Sequence, residues 1–330
     1  MQEDRPRVVV IGGPTASGKS ALAVSLARDF GGEIINADSM QVYRGMDIGT
    51  AKPTAEERQG IPHHLIDVVD PDEEFNAAVY RSLAVETIKA VWSRGKVPLI
   101  AGGTGLYIKT LLGGLVKCPP SDPDLRRELQ REYEEKGASF LHGELRRIDP
   151  VAALKIHPND RVRITRALEI IRLTGKPLSA LTSTHGFRES PFEALKICLK
   201  VDRDELYHRI NSRGLGMIKK GLVEETRALL KKGYSPELKS MKSLGYRHVI
   251  KFLEGEWDLD RALTRLQRDT RRYAKRQLTW FRGDPEFCWM RPEEEGKIRD
   301  LVAGFLGRDL EGKRGTRPDT WGCEGTSGVQ

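Results

Sequence analysis

Val8-Val9-Val10-Ile11 runs into Gly13-Pro14-Thr15-Ala16-Ser17-Gly18-Lys19-Ser20, and a helix-periodic segment from Ala21 to Phe30 follows at once. No other feature narrows the fold as far. A short β-branched run reads as a buried strand. The glycines allow a turn whose backbone N–H groups point inward, and the helix behind it directs its positive end at the same spot. The pattern G-x-x-x-x-G-K-[ST] between a strand and a helix is a phosphate loop. Gly13, Pro14, Thr15, Ala16, Ser17 and Gly18 would form the cradle, Lys19 would add a point charge, and the Ser20 hydroxyl would suit Mg²⁺. A Gly-rich helix cap without a ligand is the plainer alternative, and it accounts for fewer of the eight pattern positions.

The segments that follow extend the same architecture. Gly31-Gly32 closes the helix, and Glu33-Ile34-Ile35-Asn36 reads as a second strand ending at Asp38-Ser39. A strand is expected at Leu65 to Val69 and a helix over 76–94, stopped by Gly95. Val97-Pro98-Leu99-Ile100-Ala101 is a further buried strand, ending in Gly102-Gly103-Thr104-Gly105. Strand and helix in alternation predict an α/β fold, a parallel P-loop NTPase-like sheet covered on both faces. From Ser121 to about Leu181 only helix signals occur. Pro123, Pro150 and Pro177 sit at first-turn positions, Asp122 and Asp149 precede the first two as caps, and Gly137 and Gly175 stand where helices end. A strand at 195–201 and helices at 203–213, 222–232 and 259–282 follow. The expected organisation is a core over 1–117, an all-helical insertion over 118–190, completion of the core with a helical C-terminal part over 191–308, and a disordered tail over 309–330.

Composition excludes several classes. With 330 residues, 38% hydrophobic and 31% charged, the chain can bury a sizeable core in about two domains. No run nears the roughly 18 apolar residues of a membrane span. Met1 to Arg7 lacks an apolar signal region and carries two acids, so a cytoplasmic protein is expected. Cys118, Cys198, Cys288 and Cys323 are scattered without C-x-x-C or His at finger spacing, which argues against a disulfide framework or a structural zinc. A net charge of +8 permits a polyanionic partner. Eight basic residues and one acid, Asp269, lie between Arg261 and Arg282, and Arg261, Arg265, Arg268, Arg272 and Lys275 recur on one helix face. Such a face fits RNA or is simply solvated; charge does not choose between them.

The chemistry needs more than a loop. A nucleotide hydrolase should end a buried strand in a metal-holding aspartate, yet the strand at 97–101 ends in Gly102-Gly103-Thr104. Asp38, at the sheet edge where open α/β folds bind ligands, could ligate Mg²⁺ or accept a proton from a nucleophile. An Asx turn leaving the strand explains it equally well by itself. His63-His64 is read as hydrogen-bonding within the fold rather than as a metal pair.

Taken together, these segments resemble the tRNA dimethylallyltransferases, the bacterial type of isopentenyl transferase. The match rests on the phosphate loop, Asp38-Ser39-Met40-Gln41-Val42-Tyr43, Asp47-Ile48-Gly49-Thr50-Ala51-Lys52-Pro53 and Ile61-Pro62-His63-His64-Leu65-Ile66-Asp67. It continues through Gly102-Gly103-Thr104-Gly105-Leu106-Tyr107, Asn159-Asp160, Arg166-Ala167-Leu168-Glu169 and Arg272-Tyr273-Ala274-Lys275-Arg276-Gln277-Leu278-Thr279-Trp280-Phe281. The resemblance implies transfer of a dimethylallyl group from its diphosphate to N6 of the adenosine 3′ of the anticodon, with the base flipped into a channel. Gly13 to Ser20 and Arg213 would hold the diphosphate, with Mg²⁺ beside Ser20. Asp38 would be the base, with Thr104 and Lys19 at the reacting centre. The implied tRNA contacts are Asp38, Ser39, Met40, Gln41, Thr104, Arg127, Val162, Arg163, Ile164, Thr165, Arg166, Lys242 and Arg247; Arg268, Arg272 and Lys275 are added from the basic helix. The expected partners are the tRNA anticodon stem-loop and dimethylallyl diphosphate, with no membrane and a monomeric enzyme. An adenylate isopentenyltransferase or a P-loop kinase acting on a small molecule are the rivals; neither uses the basic helix.

Overall fold

A computed structural model describes residues 5–116, 118–185 and 191–308, so the tail expected over 309–330 lies outside the described residues. Six strands, β1 (Arg7–Gly12), β2 (Gly32–Asn36), β3 (His63–His64), β4 (Val97–Ala101), β5 (Glu193–Leu199) and β6 (Cys288–Met290), form one sheet in the order β3-β2-β4-β1-β5-β6. Every pair is parallel, with Val9 opposite Leu99 and Leu195. Side chains alternate across a strand, so Val8 and Val10 enter one core with Ile35 and Ile100, and Val9 and Ile11 enter the other with Ile34 and Leu99. Both faces are therefore covered, as a β-branched run without polar alternation requires.

The helix Lys19–Phe30 lays Leu22, Ala23, Leu26, Ala27 and Phe30 on the second core and ends at Gly31, whose N–H donates to the Ala27 carbonyl. The helix Glu295–Leu306, for which the sequence offered no signal beyond spaced apolar residues, covers the same core with Ile298, Val302, Ala303 and Phe305. The strand expected at 65–69 is absent. Leu65 and Asp67 take positive φ, 60° and 56°, which no strand accommodates. The preceding pair His63-His64 makes the ladder instead, and a single bridge joins Tyr43 to Val69. Cys118 and Cys198 are free thiols. Among the described residues no helix is long and apolar enough to cross a membrane.

The chain divides into two compact units, Met1–Leu112 with Pro191–Gln330, and Gly113–Ser190. The second is all-helical, with helices Pro123–Lys136, Ala138–Ile148, Pro150–Lys155, Arg161–Thr174 and Leu178–His185 around its own core of Leu129, Leu141, Leu145, Ile164 and Leu168. Asp122 accepts from the Asp124 and Leu125 N–H groups, and Asp149 from Ala152, each before a first-turn proline. Glu169 is fully buried in this unit; it accepts from Arg166 at 2.7 Å, Arg126 at 3.1 Å and the Asp122 N–H at 2.8 Å. Against the desolvation that raises it, these donors hold its carboxyl below the ordinary value. That stabilisation is present at neutral pH and is lost as pH falls through the depressed value. Glu169→Ala should lower unfolding free energy by about 2–3 kcal/mol in urea titrations, since the half-exposed arginines left behind can re-solvate.

Candidate active site

The phosphate loop is built as its residues dictate. Gly18 caps the Lys19–Phe30 helix in the left-handed region, φ 94°, which lets the chain turn from loop to helix without strain. Lys19 Nζ donates to the Pro14 carbonyl at 2.6 Å and spans the loop. Burial brings the Lys19 ammonium down to about 8; Arg213 pushes the same way and Asp38 opposes. Arg213 donates to Thr15 Oγ1 at 3.3 Å, so a helix from after the insertion, Arg203–Lys219, delivers a second cation to the loop. Ser17 is fully buried and its Oγ has no hydrogen-bond partner among the described residues. A buried hydroxyl without a partner is costly, and here it stands in a phosphate cradle.

Asp38 leaves β2 beside this loop. Its Oδ1 accepts from the Met40 N–H at 2.8 Å and more weakly from Gln41 at 3.4 Å. The Asx turn and the functional reading therefore coexist, because the turn engages one oxygen. Burial raises the carboxyl, against those two amides and the Lys19 charge. Thr104 Oγ1 accepts from the Ser39 N–H at 3.0 Å and Thr104 N–H donates to the Ala37 carbonyl, which clamps the turn after β2 to the turn after β4. Gln41 donates to the Thr50 and Ala51 carbonyls and holds the next loop in place. One cavity of about 750 Å³ is lined by Thr15 to Ser20, Asp38, Gly102, Gly103, Arg213, Tyr273 and Gln277. No cluster of three His, Cys, Asp or Glu side chains suited to a metal occurs among the described residues.

The basic helix Leu259–Arg282 enters the site with its buried face. Gln277, 5% exposed, accepts from the Thr15 N–H at 2.8 Å and donates to the Gly103 carbonyl at 3.0 Å. Tyr273 lines the cavity, and burial, reinforced by the Asp38 charge, holds its hydroxyl protonated well above its ordinary range. A Cβ on Gly103 would lie 2.1 Å from Gln277 Nε2, and one on Gly105 2.0 Å from Trp280. Gly103 and Gly105 thus leave room for this helix, and Gly102 for the Ala37 backbone. Charge and motif give neither Tyr273 nor Gln277 a role; their spacing of four, one helical turn, is the available signal.

Other expected residues have evident local partners. Glu225 accepts from the Asp47, Ile48 and Gly49 N–H groups and from the Tyr246 hydroxyl, and so shapes the loop that carries Lys52. Lys52 is buried on the Tyr43 carbonyl, Asp47 and Asp67. His63 hydrogen-bonds with the Ile61 carbonyl and His64 with Glu33, which accounts for both without a metal. Arg247, Arg268 and His248 converge on Asp269; against desolvation they hold it down at about 2, and Arg272 stands 3.8 Å away. Lys242 pairs with Glu237, whereas Lys275 is exposed. In the helical unit, Val162 is 76% exposed, Arg163 pairs with Asp160, Arg127 pairs with Asp124, and Thr165 caps back onto the Arg161 carbonyl. The side chain of Ile164 is fully buried and so offers no contact surface, and Arg166 is partly exposed. Ile164 is sealed in the helical core, and Arg166 donates to Glu169 and the Pro119 carbonyl.

Comparison with known proteins follows the same residues. The family described as IPP transferase matches residues 41–284. A tRNA dimethylallyltransferase of Geobacter sulfurreducens is 53% identical over 92% of this chain and 98% of its own length. Another, of Syntrophobacter fumaroxidans, is 54% identical over 86% of this chain and 82% of its own. Among solved structures, a full-length tRNA isopentenylpyrophosphate transferase of Bacillus halodurans superposes with TM-score 0.69 at 42% identity, covering 92% of this chain and 97% of that one. A eukaryotic dimethylallyltransferase described as acting on tRNA superposes with TM-score 0.75 at 30% identity, covering 94% of this chain and 82% of that one. With a phosphate loop, an acid and a Gly-Gly-Thr-Gly turn gathered on one α/β sheet, and kinship along nearly its whole length, the chain belongs to the IPP transferase family.

Proposed function

We propose that the protein transfers the dimethylallyl group of dimethylallyl diphosphate to N6 of the adenosine immediately 3′ of the anticodon in tRNA, in the cytoplasm and as a monomer. The observation that carries the reading is the shared cavity, walled at once by the phosphate loop and by Asp38. The loop amides, Ser17 Oγ, Lys19 and Arg213 receive the diphosphate and stabilise the charge it gains as the allylic C–O bond breaks. Asp38, with one oxygen committed to its turn, accepts the proton that the N6 amine loses. Thr104 and Tyr273 bound the place where the adenine enters. A base inside an anticodon loop reaches such a pocket only when flipped out of its stack.

The donor set also fits Mg²⁺. Ser20 and Asp38 offer hard oxygens, and the scarcity of other carboxylates suits an ion that keeps waters and substrate phosphate oxygens as ligands. When bound, Mg²⁺ neutralises phosphate charge.

Mass spectrometry of an anticodon stem-loop incubated with enzyme, Mg²⁺ and dimethylallyl diphosphate tests the reading. One prenyl group on that adenosine is expected, with AMP left unmodified. An unmodified stem-loop overturns it.

RNA grip is assigned to the exposed side of the basic helix and to Arg127, Val162 and Arg163 of the helical unit. Replacing Arg268, Arg272 and Lys275 by Ala should flatten the salt dependence of stem-loop binding by up to about three phosphate contacts' worth of slope. Transfer at saturating RNA should change much less. An unaltered slope returns the helix to a solvated face.

A further inference from the structure

We propose that Gln277 is a positioning residue that sets the separation of the two halves of the site, the phosphate loop and the Gly102–Gly105 turn. The proposal rests on the transfer reading above. One planar side-chain amide spans the gap. Its oxygen accepts from the Thr15 N–H at 2.8 Å, and its nitrogen donates a hydrogen bond to the Gly103 carbonyl at 3.0 Å. Thr15 belongs to the loop that holds the diphosphate and also takes the Arg213 hydrogen bond. Gly103 directly precedes Thr104, which holds the Ser39 N–H and so the turn of Asp38. The donor of the allyl group and the base for its acceptor are thereby linked through a single rigid group.

Only a side chain with one acceptor and one donor at fixed separation can do this, and the absence of a Cβ on Gly103 lets it approach. Gln277 touches neither reacting atom in this arrangement; it acts through the two loops. Transfer between two bound reactants is steep in their separation, and a misplacement of about 1 Å can lower a rate ~10²-fold. The helix that carries Gln277 also presents Arg272, Lys275 and Arg276 outward.

Gln277→Met keeps the length and removes both hydrogen bonds. Transfer with both substrates bound should fall about 10²-fold, with affinity for each substrate nearly unchanged, and Thr15 N–H should lose protection from hydrogen exchange. Gln277→Glu gives a readout that a merely structural role would not move. As a carboxylate the introduced group accepts from Thr15 but repels the Gly103 carbonyl; as a neutral acid it does both jobs of the amide. Lys19, Asp38, Arg213 and Tyr273 line the same cavity and set where that carboxyl titrates. The parent enzyme carries them unchanged, so the variant-to-parent rate ratio isolates position 277. That ratio should rise towards one as pH falls. A ratio that stays constant with pH, or a Gln277→Met variant with parental rate and Thr15 exchange, overturns the proposal. A parent enzyme that transfers nothing overturns the functional reading instead.

Discussion

Asp38→Asn should lower the single-turnover rate of transfer, with RNA and diphosphate both bound, by about 10²–10⁴-fold. The amide preserves the size of the side chain, and its oxygen can still accept from the Met40 and Gln41 N–H groups, so the turn after β2 should survive. What disappears is the free carboxylate oxygen and its capacity to take a proton. Affinities for RNA and diphosphate should therefore change little. If Asp38 chiefly holds Mg²⁺, affinity for the metal-bound diphosphate drops instead, and added Mg²⁺ recovers much of the rate. Single-turnover rates across a Mg²⁺ titration separate the two. A near-normal rate throughout leaves Asp38 as a turn residue alone. The buried carboxyl titrates above its ordinary value. The parent should accordingly lose rate as pH falls through that raised value, and Asp38→Asn should not show this limb.

Lys19→Ala should weaken diphosphate binding and slow transfer together, by about 10²–10³-fold in rate. The ammonium meets the bound diphosphate and also the further charge that it gains on departure, so binding weakens and the transition state loses more than the ground state. RNA affinity should persist. Burial, with Arg213 beside it, holds Lys19 down at about 8. Diphosphate must therefore bind to a lysine increasingly deprotonated above that pH, and affinity should fall there, approaching about tenfold per pH unit. Calorimetry across pH checks this, and Lys19→Ala should bind with no such dependence. An unchanged diphosphate affinity in the variant refutes the loop assignment.

The strengths and gaps of the sequence reading follow one physical division. The phosphate loop, β4 at Val97–Ala101, the helix Leu259–Arg282 and the Asp-Pro helix starts at Asp122 and Asp149 depend on neighbours a few residues away, through capping, turn geometry and side-chain period. Such signals are written in adjacent positions. The strand expected at 65–69 failed because Leu65 and Asp67 are bent into positive φ. Lys52, buried against Asp67, and Asn36, which donates to the Leu65 carbonyl, lie too far along the chain for a local pattern to reveal. β6, at three residues, is too short to carry a period.

The site divides the same way. Its candidate residues are legible: motif and family resemblance name Lys19, Ser20, Asp38 and Thr104, and the first three line the cavity. Its assembly is not. Thr15 and Gln277 are 262 positions apart, and their hydrogen bond exists only because the helix packs its buried face on the glycine turn. Likewise Ile164 is a residue that resemblance ties to tRNA, yet the helical core takes up its side chain. The sequence by itself determined which groups could hold a phosphate and take a proton, because those properties reside in residue chemistry and short spacing. Only the tertiary structure decided which of them face one cavity and which are used up by packing. Close packing and hydrogen-bond satisfaction are settled between distant segments, and no local pattern records them.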